Sequence, residues 1–124
     1  MLNRRQQLGQ RGEALACRHL RQQGYQILEQ NYRTGLGEID IIARQADTLV
    51  FVEVKTRRSD RYGSPAQAIT PQKQKKLSVN ALSYLKYTRQ MDSRARFDVV
   101  LIQTGSSGRP EIEIIQNAFP LAYG

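Results

Sequence analysis

Gly37-Glu38-Ile39-Asp40-Ile41-Ile42 and Leu49-Val50-Phe51-Val52-Glu53-Val54-Lys55 are two apolar, β-branched runs that carry acids where a strand interior should be hydrophobic. A carboxylate inside such a run loses solvation free energy on burial unless something compensates its charge. A bound cation is one such compensation, so the pair points to a metal-dependent site built across neighbouring strands. Side chains alternate along a strand, which puts Glu38 with Asp40 and Glu53 with Lys55. If the runs form a hairpin turning at Ala46-Asp47, paired residue numbers sum to 93 and Asp40 falls opposite Glu53, with Glu38 opposite Lys55. A four-residue turn from Gln45 to Thr48 keeps that register; a three-residue turn sets Asp40 against Val52 and breaks the constellation.

In the first register the two Cβ atoms start about 5 Å apart. Like charges so placed repel unless they share a proton or a cation, and two oxygen ligands at that separation suit Mg²⁺, whose remaining positions go to water and substrate phosphate. Lys55, on the same face, is placed to orient a water or to neutralise charge developing at phosphorus. The alternative is an exposed, two-sided sheet in which Glu38 and Lys55 make an ordinary cross-strand ion pair.

Element types alternate around these strands. Asn3 to Gln23 is rich in helix formers and stops at Gly24, a residue suited to the position just past a helix end. Tyr25 to Arg33 reads as a strand leading into a turn at Thr34-Gly35-Leu36-Gly37, followed by the acid-bearing strands Gly37 to Arg44 and Thr48 to Arg57. Arg58 to Ser64 reads as a polar basic loop. Thr70-Pro71 is a hydroxyl cap followed by proline in a first helical turn, and Leu77, Ala81, Tyr84 and Leu85 then give one apolar face. Phe97 to Gln103 and Glu111 to Gln116 are two further strands about the Gly105-Ser106-Ser107-Gly108 turn. The expected fold is α/β, with the order helix, three strands, helix, two strands and a mixed central sheet flanked by helices. A chain of 124 residues, 40% hydrophobic, fits one domain with one real core.

Composition narrows the partner. Nineteen Lys and Arg against eleven Asp and Glu give a formal charge of +8, and fourteen of the basic residues are Arg, which grips phosphate through two parallel hydrogen bonds. Such an excess favours polyanions, with nucleic acid ahead of an anionic membrane surface. The lone Cys17 excludes an internal disulfide, and with His19 the single histidine there is no Cys/His set for zinc, so a metal here would be held by oxygen. No run reaches membrane-spanning length and the first residues lack the apolar core of a secretion signal, so the expected location is the cytoplasm.

The first helix offers a further acid. At 100° per residue Gly9, Glu13, Ala16, Cys17, Leu20 and Gly24 share one side, so Glu13 is the charged member of a small, apolar stripe. Packed on the sheet, it reaches either the metal or its water shell; at the stripe edge it reaches solvent or pairs with Arg11 or Arg21. His19 reads as a surface residue and Asp98 as a structural hydrogen-bond acceptor.

Together, Gly12-Glu13, Gly37-Glu38-Ile39-Asp40, Phe51-Val52-Glu53-Val54-Lys55-Thr56-Arg57 and Lys73 resemble the YraN-type family of small proteins, itself similar to archaeal Holliday junction resolvases within the PD-(D/E)xK nuclease superfamily. The resemblance runs from about Gly9 to Ile102. It implies a restriction-endonuclease-like core in which Asp40, Glu53 and the main-chain carbonyl of Val54 hold Mg²⁺ or Mn²⁺. Glu13 would assist metal or water binding, and Lys55 would position the attacking water for phosphodiester hydrolysis. The superfamily's proline before the aspartate is absent, Ile39 standing in its place. Arg57, Arg58 and Arg61, just after the Lys55 strand, would meet backbone phosphates, and Tyr62 could stack on an unpaired base. Lys73, in the first turn of the second helix, would point toward the phosphate, while Lys75 and Lys76 are solvated. The expected activity is a nuclease acting on DNA rather than RNA, branched DNA by analogy with the resolvases. A homodimer would suit symmetric cutting of two strands. The alternative is a non-catalytic nucleic-acid-binding or assembly factor that uses the same fold and charge.

Overall fold

The computed structural model describes residues 4–58, 69–104 and 108–121. Helix α1 (Arg4–Gln22) precedes β1 (Gln26–Thr34), β2 (Gly37–Gln45) and β3 (Thr48–Arg58); α2 (Pro71–Tyr87) then leads to β4 (Arg94–Thr104) and β5 (Pro110–Ile115). This is the order expected from the sequence. Both helix ends form as their residues dictate. Gly24 takes φ +90°, and its N–H and that of Tyr25 donate to the carbonyls of Arg21 and Leu20, the pair of hydrogen bonds that closes a glycine-ended helix. At α2 the Thr70 hydroxyl accepts from Lys73 N at 3.2 Å, with Pro71 opening the helix.

The strands form one sheet in the order β1-β2-β3-β4-β5, antiparallel except for the parallel β3/β4 pair that α2 bridges. Two cores cover its faces. Ala16, Cys17 and Leu20 of α1 pack with Ile41, Ala43, Val50, Val52, Val100 and Ile102, whereas Leu77, Ala81, Tyr84 and Leu85 of α2 pack with Ile39, Ile42, Leu49, Phe51, Phe97 and Val99. The sheet is thus the middle layer between the two helices. No helix among the described residues is long and apolar enough to cross a membrane.

Asp98 has the structural role expected of it. Fully buried, it accepts from Tyr25 Oη at 2.7 Å, from Arg96 Nε at 2.9 Å and from Asn117 N at 2.9 Å, where α1 hands over to β1. Every lone pair it brings inside is matched by a donor, one of them charged, which is the condition under which a buried carboxylate is tolerated. Asp98→Ala strands Arg96 and Tyr25, and is expected to lower stability by about 3–5 kcal/mol. Thermal unfolding measures the loss, and the stabilisation gained on adding Mg²⁺ should survive it, because Asp98 is no part of the acidic cluster described next.

Candidate metal centre

The hairpin register is the one read from the sequence. Ile41 to Gln45 pair with Val52 to Thr48, the residue numbers summing to 93, about a turn in which Ala46 adopts φ 53°. The ladder ends at Ile41 and Val52, one step before Asp40 would meet Glu53. Ile39 belongs to the α2-side core and Ile41 to the α1-side core, although strict alternation would put them on the same face. The slip falls on Asp40. On the neighbouring strand Asn31, which the β1/β2 numbering would set against Asp40, is left-handed at φ 53° and missing from the ladder. Asp40 is therefore released from either face, and its Oδ2 accepts from the main-chain N–H of Val54 at 2.8 Å, filling the gap where β2 and β3 part. In extended backbone a residue's N–H and C=O leave the strand on the same side, so the Val54 carbonyl opens onto that gap as well.

Two groups of side chains meet there, one from each face. On the α1 side carboxylate oxygens of Glu13, Glu38 and Asp40 lie within 4.8 Å of one another. Glu13 comes this close because Gly12 has no side chain; a Cβ there would sit 2.7 Å from Thr56 Oγ1. Asn31 hydrogen-bonds Glu13, and Arg33 Nε lies 3.4 Å from Glu38 Oε1. On the α2 side stand Glu53 and Lys55, because Leu49 and Phe51 fix the odd-numbered residues of β3 to that face. Lys73 Nζ lies 3.8 Å from Glu53 Oε1, and Glu53, with a side chain 12% exposed, keeps its Oε2 buried without a hydrogen-bond partner among the described residues.

Burial is the first cause of every perturbed acid here. It raises Asp40 above the ordinary carboxylate range, against the Val54 N–H and the two lysines that pull it down. It pushes Glu53 to about 7, with the Asp40 charge adding to the rise and Lys73 and Lys55 opposing it. Glu13 is raised by burial and then by Asp40. The cluster holds more negative charge than its surroundings neutralise, and it accepts either protons or a cation. All donors are oxygen, the set preferred by Mg²⁺ and Mn²⁺, and the unpartnered Glu53 Oε2 is an acceptor available to such an ion. Of the ligands expected from the sequence, Asp40 and Glu13, joined by Glu38, bring oxygens close enough to share one ion, while Glu53 approaches Asp40 from the other face and lies outside that set.

Two features differ from the sequence reading. Glu38 enters the acidic cluster instead of pairing with Lys55, because the slip at Asp40 takes it to the α1 side. Arg58 belongs to β3, not to the following loop, because pairing with β4 continues to Arg58 and Thr104; Arg57, one residue earlier, lies in the strand as expected and is half-buried. Lys73 does turn inward as expected, with Glu53 as its partner. Arg61, Tyr62 and the side chain of Arg58 lie outside what is described. The signal for the unexpected geometry was Asn31, a residue type that tolerates the left-handed region, inside an otherwise strand-like run.

A carboxyl whose folded pKa is raised contributes stability fully below its unfolded pKa, here near 4.5, and loses it as pH rises through about 7. In EDTA, thermal stability should therefore fall between about pH 5 and pH 8. Mg²⁺ should restore it, more at the higher pH where protons no longer compete, by about 2.7 kcal/mol at a hundredfold excess over Kd. Glu53→Gln should flatten the pH dependence in EDTA and shrink the Mg²⁺ response; a response of undiminished size would remove Glu53 from the ligand set.

Comparison with known proteins places this geometry in a family. A protein of Desulfosudis oleivorans is 54% identical over 119 residues, covering 96% of this chain and 94% of its own. One of Syntrophus aciditrophicus is 55% identical over 117 residues (94% and 91%), and one of Rhodococcus opacus 46% over 112 residues (90% and 95%). All three are named UPF0102 protein. Among solved structures, that of Pyrococcus furiosus SfsA in complex with Ca²⁺ superposes with a TM-score of 0.40 at 14% identity, covering 91% of this chain and 64% of that one. Residues 12–102 match the family described as uncharacterised protein family UPF0102, a stretch that opens on Gly12-Glu13 and contains Glu38, Asp40, Glu53, Lys55 and Lys73. The chain belongs to the UPF0102 family, the YraN-type family that its motifs resemble.

Proposed function

We propose that this protein is a divalent-metal-dependent nuclease that hydrolyses phosphodiester bonds in DNA, with branched or otherwise structured DNA as the substrate class suggested by its resemblance to junction resolvases. The observation that supports this best is the pair of half-buried acids at the strand fork, Asp40 and Glu53, one with an unpartnered oxygen and both within the field of two lysines. A module that only bound nucleic acid would gain nothing from buried carboxylates that repel its ligand.

Asp40, Glu53, the Val54 carbonyl and Glu13 would hold Mg²⁺ or Mn²⁺, with Glu38 as a further oxygen donor on the α1 side. When bound, such an ion offsets the negative charge that builds on the phosphoryl oxygens during in-line attack. The remaining work falls to the chain's own groups. Lys55, exposed beside Glu53, would orient the attacking water and draw the scissile phosphate in. Lys73 would leave Glu53 for the phosphate once the carboxylate's charge is otherwise balanced. Arg57, at the far end of the same strand, and the Arg58, Arg61 and Tyr62 segment would bind the polymer on either side of the cut. The overall charge of +8 would gather the polyanion. A homodimer would present two such centres to the paired strands of a junction.

The test is incubation of purified protein with Mg²⁺ or Mn²⁺ and a panel of four-way junctions, flaps, linear duplex, single strands and RNA. Asp40→Ala and Lys55→Ala should each reduce metal-dependent cleavage by about 10²–10⁴-fold while retaining most DNA binding. Cleavage that persists in Asp40→Ala would come from a contaminant and defeat the assignment. Binding without cleavage on every substrate would favour the non-catalytic nucleic-acid-binding role.

A further inference from the structure

The outer side of α2 is the described surface that the metal centre leaves unexplained. Two adjoining depressions share Leu36 and Val79 and run the length of the helix. One continues to Gln72, Lys75 and Lys76, the other to Leu82, Lys86 and Tyr87. Leu36 is 53% exposed, Val79 36% and Tyr87 84%, an amount of apolar and aromatic surface that a free helix face does not need. The opposite wall is the turn between β1 and β2. It is tied to the helix through Thr34, whose hydroxyl donates to Asn80 Oδ1 at 2.9 Å and accepts from Leu36 N at 3.0 Å. Every charged residue lining the two depressions is a lysine.

The groove also has a direction. Its end lined by Gln72, Lys75 and Lys76 lies within one helical turn of Lys73. Lys73 in turn touches Glu53 in the metal centre. From Lys73 to Tyr87 the helix rises about 21 Å, the reach of about six nucleotides at the 3.4 Å spacing of a stacked strand. A duplex hides its bases and would meet this face only through its phosphates. Apolar side chains and an exposed tyrosine beside lysines are what an unpaired strand uses, its bases stacking while its phosphates pair with ammonium groups.

We infer that the α2 groove seats an unpaired DNA strand that continues from the scissile position, so that the substrate is a duplex with a single-stranded arm. This rests on the nuclease reading for its direction, but binding can be measured without cleavage. In EDTA, fluorescence anisotropy would compare a blunt duplex with the same duplex carrying a 5′ or a 3′ arm of about ten nucleotides. One armed duplex should bind about tenfold more tightly than the blunt one, and Val79→Glu or Tyr87→Ala should each remove most of that ratio. Both side chains are exposed, so the fold should tolerate the changes, and thermal unfolding checks this. An arm carrying a photoreactive thymidine should crosslink to the peptide containing Tyr87. Equal affinity for armed and blunt duplex, or an armed-to-blunt ratio unmoved by both variants, would overturn the inference. So would a groove that ignores the arm but binds an acidic peptide of alternating Glu and Leu in a Val79→Glu-sensitive way, which would make it a protein-docking surface. Arm preference without cleavage on any substrate would defeat the nuclease reading and leave this one standing; cleavage without arm preference would do the reverse.

Discussion

The hydrogen bond from Val54 N to the carboxylate of Asp40 is the contact on which the rest of the site depends. It replaces a rung of the β2/β3 ladder with a side chain, at the step where the two strands separate. A main-chain N–H inside a sheet must find an acceptor. Here the acceptor is an acid that would otherwise have had to lie on one face or the other. Because the acid stays in the plane of the sheet, groups from both faces can approach it: Glu13 and Glu38 from beneath α1, Glu53 with Lys55 and Lys73 from beneath α2.

That arrangement concentrates negative charge in a place sheltered from water. Burial raises the pKa of Glu13, Asp40 and Glu53 together, and each ionised member opposes ionisation of its neighbours. Lys73 relieves part of the imbalance, though at 3.8 Å and with its own side chain 48% exposed it is a loose partner. A loose cation on one oxygen and a buried bare oxygen on the other describe a carboxylate held ready for a second, better partner. The fully matched Asp98 is the contrast within the same sheet: deeper burial, all acceptors engaged, and no call on a metal.

Much of this is legible in the sequence. The order of elements followed from periodicity and end signals, because Gly24, Thr70 and Pro71 act through local backbone chemistry that sequence displays directly. The hairpin register followed from the spacing of two apolar runs about a two-residue turn. The slip at Asp40 was not legible, because it depends on Asn31 in another strand adopting a left-handed conformation, and nothing within β2 itself announces that. Glu38 was consequently assigned to the wrong neighbour. The inward turn of Lys73 was readable from its helical phase with Leu77 and Ala81, whereas its pairing with Glu53 needed the crossover geometry of α2. Arg58 lies in the strand rather than in the loop expected of it because the length of β3 is set by the strand beside it, and β4 extends farther than its apolar run.

The division of labour in the sheet has a practical side. Every side chain assigned to the metal centre comes from α1, β1, β2, β3 or α2. β4 serves as the buttress along which β3 is paired from Thr48 to Arg58, and β5 hangs on β4 alone, beginning at Pro110. The β5 edge is thus the natural handle of the molecule. A fluorophore, a tether or a fused domain attached there would leave the acids and lysines untouched, and Pro110, which has no N–H to offer, discourages another strand from adding to that end of the edge.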